Sequence, residues 1–98
     1  MRARVVWHGA AVEEFLAAVG WYEQQRLGLG ADFSAACHAV VALIEDQPKA
    51  FRLVHGDVRR VLLRRFPYAI FYRYRESELF VIAVMHERRD PHRWQERR

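Results

Sequence analysis

The 98-residue chain contains a single cysteine, Cys37, so no internal disulfide can form, which fits a reducing cytoplasm. It has no run near the roughly 18 apolar residues that a membrane-spanning helix needs. Its first residues, MRARVVWHGA, lack the apolar core and cleavage pattern of a secretory signal. His8, His38, His55, His86 and His92 have no metal-ligand spacing, and one cysteine cannot complete a zinc site; no metal and no cofactor is expected. No repeat, linker or low-complexity run breaks the chain. At this length it makes one domain, residues 1–98, with a single modest core. Its 52% hydrophobic content and 13% aromatics exclude a disordered chain.

Lysine is also nearly absent. Of sixteen basic residues only Lys49 is a lysine. Residues 1–47 carry three basic and six acidic groups, whereas residues 48–98 carry thirteen basic and six acidic, so the net +4 sits in the second half. Arginine forks suit bidentate contact with phosphate or carboxylate and stack on rings.

Arg4–Trp7 reads as a short strand, broken by His8-Gly9. From Ala10 to Arg26, Val12, Phe15, Leu16, Val19 and Tyr22 follow the spacing of one helix face. Glu13 and Glu14 lie early in that helix, where its dipole favours anions. Gly20 interrupts it and suggests a close helix contact. Leu27-Gly28-Leu29-Gly30 is a turn, and a second helix spans about Ala31 to Gln47 before Pro48 closes it. Phe33, Ala36, Cys37, Val40, Leu43 and Ile44 share its apolar face, which makes Cys37 a packed core thiol and puts His38 at the core's edge. Together the two form a helical hairpin.

Residues 48–57 read as a connector ending in the turn His55-Gly56-Asp57. Val58–Phe66, Tyr68–Tyr74 and Leu79–Met85 then read as a three-stranded antiparallel meander, divided by Pro67 and by Arg75-Glu76-Ser77-Glu78. Arg73 and Arg75 are expected as solvated edge charges. Strands segregated from helices argue for α+β, with the hairpin on one face of a small antiparallel sheet. Strict alternation in the last strand puts Phe80, Ile82, Val84 and His86 opposite Leu79, Val81, Ala83 and Met85. Both faces are apolar. The one away from the helices therefore needs a terminus, a second chain or a partner to cover it. The polar tail after Asp90 either frays or folds His92-Arg93-Trp94 back over the sheet.

The ordered set WYEQQRLGLGADF, the stop at Gln47-Pro48, VRRVLLRRFPYAIFYRY and MHERRDPHRW resembles the RelE/ParE superfamily of toxins from bacterial type II toxin–antitoxin modules. The resemblance spans roughly residues 4–94. It implies a β-α-α-β-β-β fold and a cytoplasmic toxin held in a hetero-oligomer by a cognate antitoxin. The antitoxin's C-terminal segment wraps the toxin and often carries acidic residues, which would complement the basic half. One departure is the start of the first helix. Relatives often place Ser or Thr there, where this chain has His8-Gly9-Ala10 and Gly9 serves as a tolerable cap.

The superfamily divides by target. RelE-like members cut messenger RNA on the ribosome, which takes a base for the 2′-hydroxyl, a donor for the leaving oxygen and cations at the phosphate. The residues here that match such roles are Arg59, Arg64, His86, Arg88 and Arg89; His86 could shuttle a proton, orient a group, or simply end a strand. The lysine cluster of ribosomal cutters is missing, as is a tyrosine near the C-terminus, and Trp94 has no acidic hydroxyl. ParE-like members are not enzymes; they bind DNA gyrase and trap it on cleaved DNA, which needs only a complementary surface. The WYEQQ-LG-F spacing looks ParE-like, and Arg60, Arg65, His86, Arg88, Arg89 and Trp94 are the expected target contacts. A ParE-like gyrase inhibitor thus ranks first and a RelE-like ribonuclease second. A nucleic-acid-binding module stacking bases on Tyr68, Tyr72 and Tyr74 ranks third.

Overall fold

A computed structural model describes residues 3–88 and 92–97. In chain order the elements are β1 (Arg4–Trp7), α1 (Gly9–Gln25), α2 (Leu29–Asp46), β2 (Arg52–His55), β3 (Val58–Leu62), β4 (Tyr68–Arg75), β5 (Glu78–His86) and the short helix α3 (His92–Gln95). The helical hairpin lies on one face of a five-stranded sheet ordered β1-β5-β4-β3-β2. The sheet is mixed rather than wholly antiparallel, because β1 runs parallel to β5 while the other neighbours are antiparallel. The expected connector contains the fifth strand. Arg52–His55 folds back on β3 across a turn in which Gly56 adopts φ 55°, a conformation that glycine reaches at little cost.

α1 is capped by His8, not Gly9: the His8 Nδ1 accepts from the Ala10 N–H at 3.0 Å. Its buried face is Ala11, Ala18 and Tyr22, with Phe15 and Val19 partly covered, while Val12 and Leu16 point to solvent. The alanines, rather than the larger residues, mark where the helix comes nearest the sheet. On α2, Phe33, Cys37, Val40, Val41 and Ile44 are buried, and Leu43 is 56% exposed. His38 is exposed too, with its Nδ1 2.8 Å from the Ser34 carbonyl. The close helix contact lies at Gly30, not Gly20. A Cβ on Gly30 would sit 2.7 Å from the Val19 carbonyl oxygen, whereas one on Gly20 would meet nothing within 4 Å. The Glu23 carboxylate accepts from the N–H groups of Gly28 and Gly30 at 3.0–3.1 Å and so caps the start of α2.

The helix side of the sheet holds the larger core, with Tyr72, Ile70, Leu79, Val81 and Val84 against Phe33, Tyr22 and Ile44. Strict alternation fails in β5. Phe71 pairs with Ala83 and Tyr72 with Val81, so Ile82 is an extra residue and forms a β-bulge. Ala83 and Met85 are thereby moved to the outer face beside Ile82, and Val84 to the helix side. The outer face is covered by the chain itself: Trp94 stacks on Phe71 with centroids 4.5 Å apart, over Val58, Ala69 and Ile82. Arg73 and Arg75 are not edge charges, because β4 is central. Both donate to Asp57, at 2.8 and 2.7 Å, and Arg73 also donates to the Arg97 carbonyl. No helix among the described residues is long and apolar enough to cross a membrane.

Candidate functional site

The outer face carries a basic cavity. The β2–β3 register sets Arg52 directly opposite Arg60, and like charges so placed repel. Both line a hollow of about 390 Å³ whose floor is Phe71 and Trp94 and whose far end is His86 and Glu87. Among the described residues neither guanidinium has a carboxylate partner. The Nδ1 of His86 accepts from the Arg88 N–H at 3.1 Å, which leaves the ring proton of the neutral form on Nε2. Arg88 itself is exposed in the turn after β5.

The cavity brings together three residues that sequence reasoning named, Arg60, His86 and Trp94, and disperses the rest. Arg59 points to the helix side, where it donates to the carbonyls of Lys49 (3.1 Å) and Phe51 (2.7 Å) and so pins the loop before β2. Arg64 is exposed beyond the end of β3. Arg65 is exposed as well, 3.7 Å from Asp32 of α2 and over the Phe66 ring. Arg89 lies outside the described residues. Trp94 is 3% exposed and serves as the floor rather than a surface contact. Arg52 went unnamed in the sequence because its strand was read as connector. Once β2 is seen, its pairing with β3 supplies the missing signal.

A second, larger feature is a cleft of about 800 Å³ between α1 and β5, lined by Glu13, Glu14, Trp21, Tyr68, His86 and Arg97 among others. Here Arg97 forms a two-pronged ion pair with Glu14, at 2.8 and 2.9 Å. Neither residue was legible as half of a pair, since 83 positions separate them. Among the described residues there is no group of three or more His, Cys, Asp or Glu able to hold a metal. The tyrosines proposed for base stacking are on the helix side. Tyr72 is fully buried, with its hydroxyl donating to the Pro48 carbonyl at 2.7 Å; burial pushes its pKa up to about 12 against a smaller opposing pull from Arg59. Tyr68 and Tyr74 pack against the same core.

Comparison with known proteins agrees with this architecture. A family model described as the ParE toxin of the type II toxin–antitoxin system, parDE, matches residues 5–91. No curated protein matches the sequence. Among solved structures, a chain of the chromosomal ParDE toxin–antitoxin system from P. aeruginosa superposes with a TM-score of 0.63 at 15% identity, covering 87% of this chain and 96% of that one. The chain belongs to the ParE toxin family of type II toxin–antitoxin systems.

Proposed function

We propose that this protein acts in the cytoplasm as a toxin that binds and inhibits DNA gyrase, and that a cognate antitoxin neutralises it in a hetero-oligomer. Support for binding over RNA cleavage comes from one observation. The residues a nuclease would need are not gathered in one place: Arg59 is spent on backbone carbonyls on the helix side, and Arg64 is exposed beyond the end of β3 and does not line the cavity that His86 shares with Arg60. Arg52 and Arg60, with no carboxylate partner among the described residues, form a basic surface that suits an acidic face on a target without any proton transfer. His86 lines the same cavity, and Arg88, whose N–H donates to His86, and Arg89 follow it in sequence.

The test sets purified protein against gyrase and plasmid DNA in one arm and against a translating extract with primer extension in the other. Gyrase-dependent linear plasmid with intact message is the expected result. Combining Arg60→Glu with Arg88→Glu should weaken the inhibition by at least about tenfold, since charge reversal at an interface works against both encounter and complex. Codon-phased cuts in the message with normal supercoiling would transfer the protein to the ribosome and overturn the gyrase reading.

A further inference from the structure

β1 covers β5 only as far as Val81, where Trp7 is its partner and the His8 N–H closes on the Val81 carbonyl at 2.8 Å. The chain then turns into α1. β5 continues to His86, so from the Ile82 bulge onward its outward edge has no strand beside it among the described residues. Two side chains stand in for one. The Val84 N–H donates to Glu14 Oε1 at 3.0 Å, and the Ile82 carbonyl accepts from Arg97 Nη1 at 3.0 Å. Arg97 and Glu14 hold each other and are only 14% and 20% exposed. An N–H and a C=O two residues apart on one edge are the groups a neighbouring strand uses.

We propose that this edge, from Ile82 to His86, is a strand-addition site for an extended segment of a protein partner. The segment's main chain takes the Ile82 carbonyl and the Val84 N–H, and one of its residues, an arginine or lysine, takes the place of Arg97 against Glu14. The charge of the cleft selects that chemistry. Glu13 and Glu14 line it, and Arg97 is the one guanidinium among its described lining residues. A partner that evicted Arg97 without supplying a cation would leave a mostly shielded carboxylate uncompensated, which is costly; an acidic side chain there would add repulsion. Main-chain pairing supplies affinity in this mode, and alternate side chains supply choice. The Arg97 carbonyl is held separately by Arg73, so the backbone that carries Trp94 keeps that tie to the sheet when the side chain is evicted. This inference does not depend on gyrase being the target.

The experiment titrates the ¹⁵N-labelled full chain with a blocked alternating peptide, acetyl-Val-Arg-Val-Arg-Val-amide, and with its glutamate counterpart. The arginine peptide should shift the amides of Val84 and His86 and give interstrand nuclear Overhauser effects to β5, while the glutamate peptide should bind at least about tenfold more weakly. Arg97→Ala, which removes the resident occupant, should tighten the arginine peptide by about fivefold. Glu14→Gln keeps an acceptor for Val84 but should lose the preference for the arginine peptide. No shift at Val84 at millimolar peptide, equal binding of the two peptides, or an affinity indifferent to Arg97→Ala would each overturn the proposal. Shifts confined to Trp21 and its neighbours on α1 would overturn it too, in favour of a partner lying on the helix. Should Arg97→Ala fail to fold, the wild-type titration and Glu14→Gln still decide.

Discussion

Replacing Trp94 with alanine tests whether the outer face of the sheet needs the cover it has. Trp94 is 3% exposed, stacked on Phe71 at 4.5 Å and edge-on to His55 at 6.0 Å. A tryptophan so buried withdraws about 200 Å² from water, worth about 5 kcal/mol at ~25 cal/mol/Å². Part of that is offset, because a segment without its anchor regains backbone freedom at about 1 kcal/mol per residue released. A net loss of about 3 kcal/mol remains, at the low end for aromatic-to-alanine changes in cores. For a domain of this size that lowers Tm by about 12 °C or more. Calorimetry measures the shift, and a dye that fluoresces on apolar surface should report Phe71, Ile82 and Met85 becoming accessible. Trp94→Phe should lose less than half as much. A Tm for Trp94→Ala within about 3 °C of the parent, or no added dye signal, would refute the idea that this side chain closes a second core.

Other outcomes follow from single contacts. Gly30→Ala forces a Cβ against the Val19 carbonyl at 2.7 Å and should cost about 1–3 kcal/mol in urea unfolding, whereas Gly20→Ala, with open space around it, should gain up to about 1 kcal/mol. The Asp57 carboxyl is held below its ordinary pKa by the hydrogen bond from Arg75, against desolvation and with help from Arg73. Its contribution is therefore present above the unfolded pKa of about 4 and lost as pH falls through the lower folded value. Because Asp57 is 43% exposed the contribution is under about 1 kcal/mol, and Asp57→Asn should flatten that part of the acid stability profile. Burial pushes the Cys37 thiol up to about 12, so iodoacetamide at pH 8 should leave it unmodified in the folded protein and alkylate it fully in urea.

The helical hairpin and the packed Cys37 were legible from periodicity, because large apolar residues at helical spacing dominate those segments. What periodicity could not carry was which of two adjacent apolar residues the core takes. On α1 it takes Ala11 and Ala18 and leaves Leu16 59% exposed, since the closeness of helix and sheet, not side-chain size, sets the choice. β2 was missed because Arg52–His55 shows little apolar alternation; only pairing with β3 makes it a strand. The Ile82 bulge has no local mark either. A bulge is a relation between two strands, and it overturned the face assignment of Ala83, Val84 and Met85. In the candidate site, Arg60, His86 and Trp94 were visible as a basic, aromatic end to the sheet. The pairing of Glu14 with Arg97 was not, because the fold alone brings them together.

The strand order has a consequence for how the molecule comes into being. β1 is made first, yet its neighbour is β5, with Arg4 opposite Glu78. A ribosome making this chain therefore extrudes a strand and two helices before any of the sheet they belong to exists. Such a distant pairing cannot repay its loop-closure cost until nearly everything else is in place. The cavity that Arg52 and Arg60 share with His86 is likewise assembled only after β5 has emerged. Until then the growing chain has no basic cavity to present, and a partner expressed alongside has the whole interval of synthesis in which to arrive.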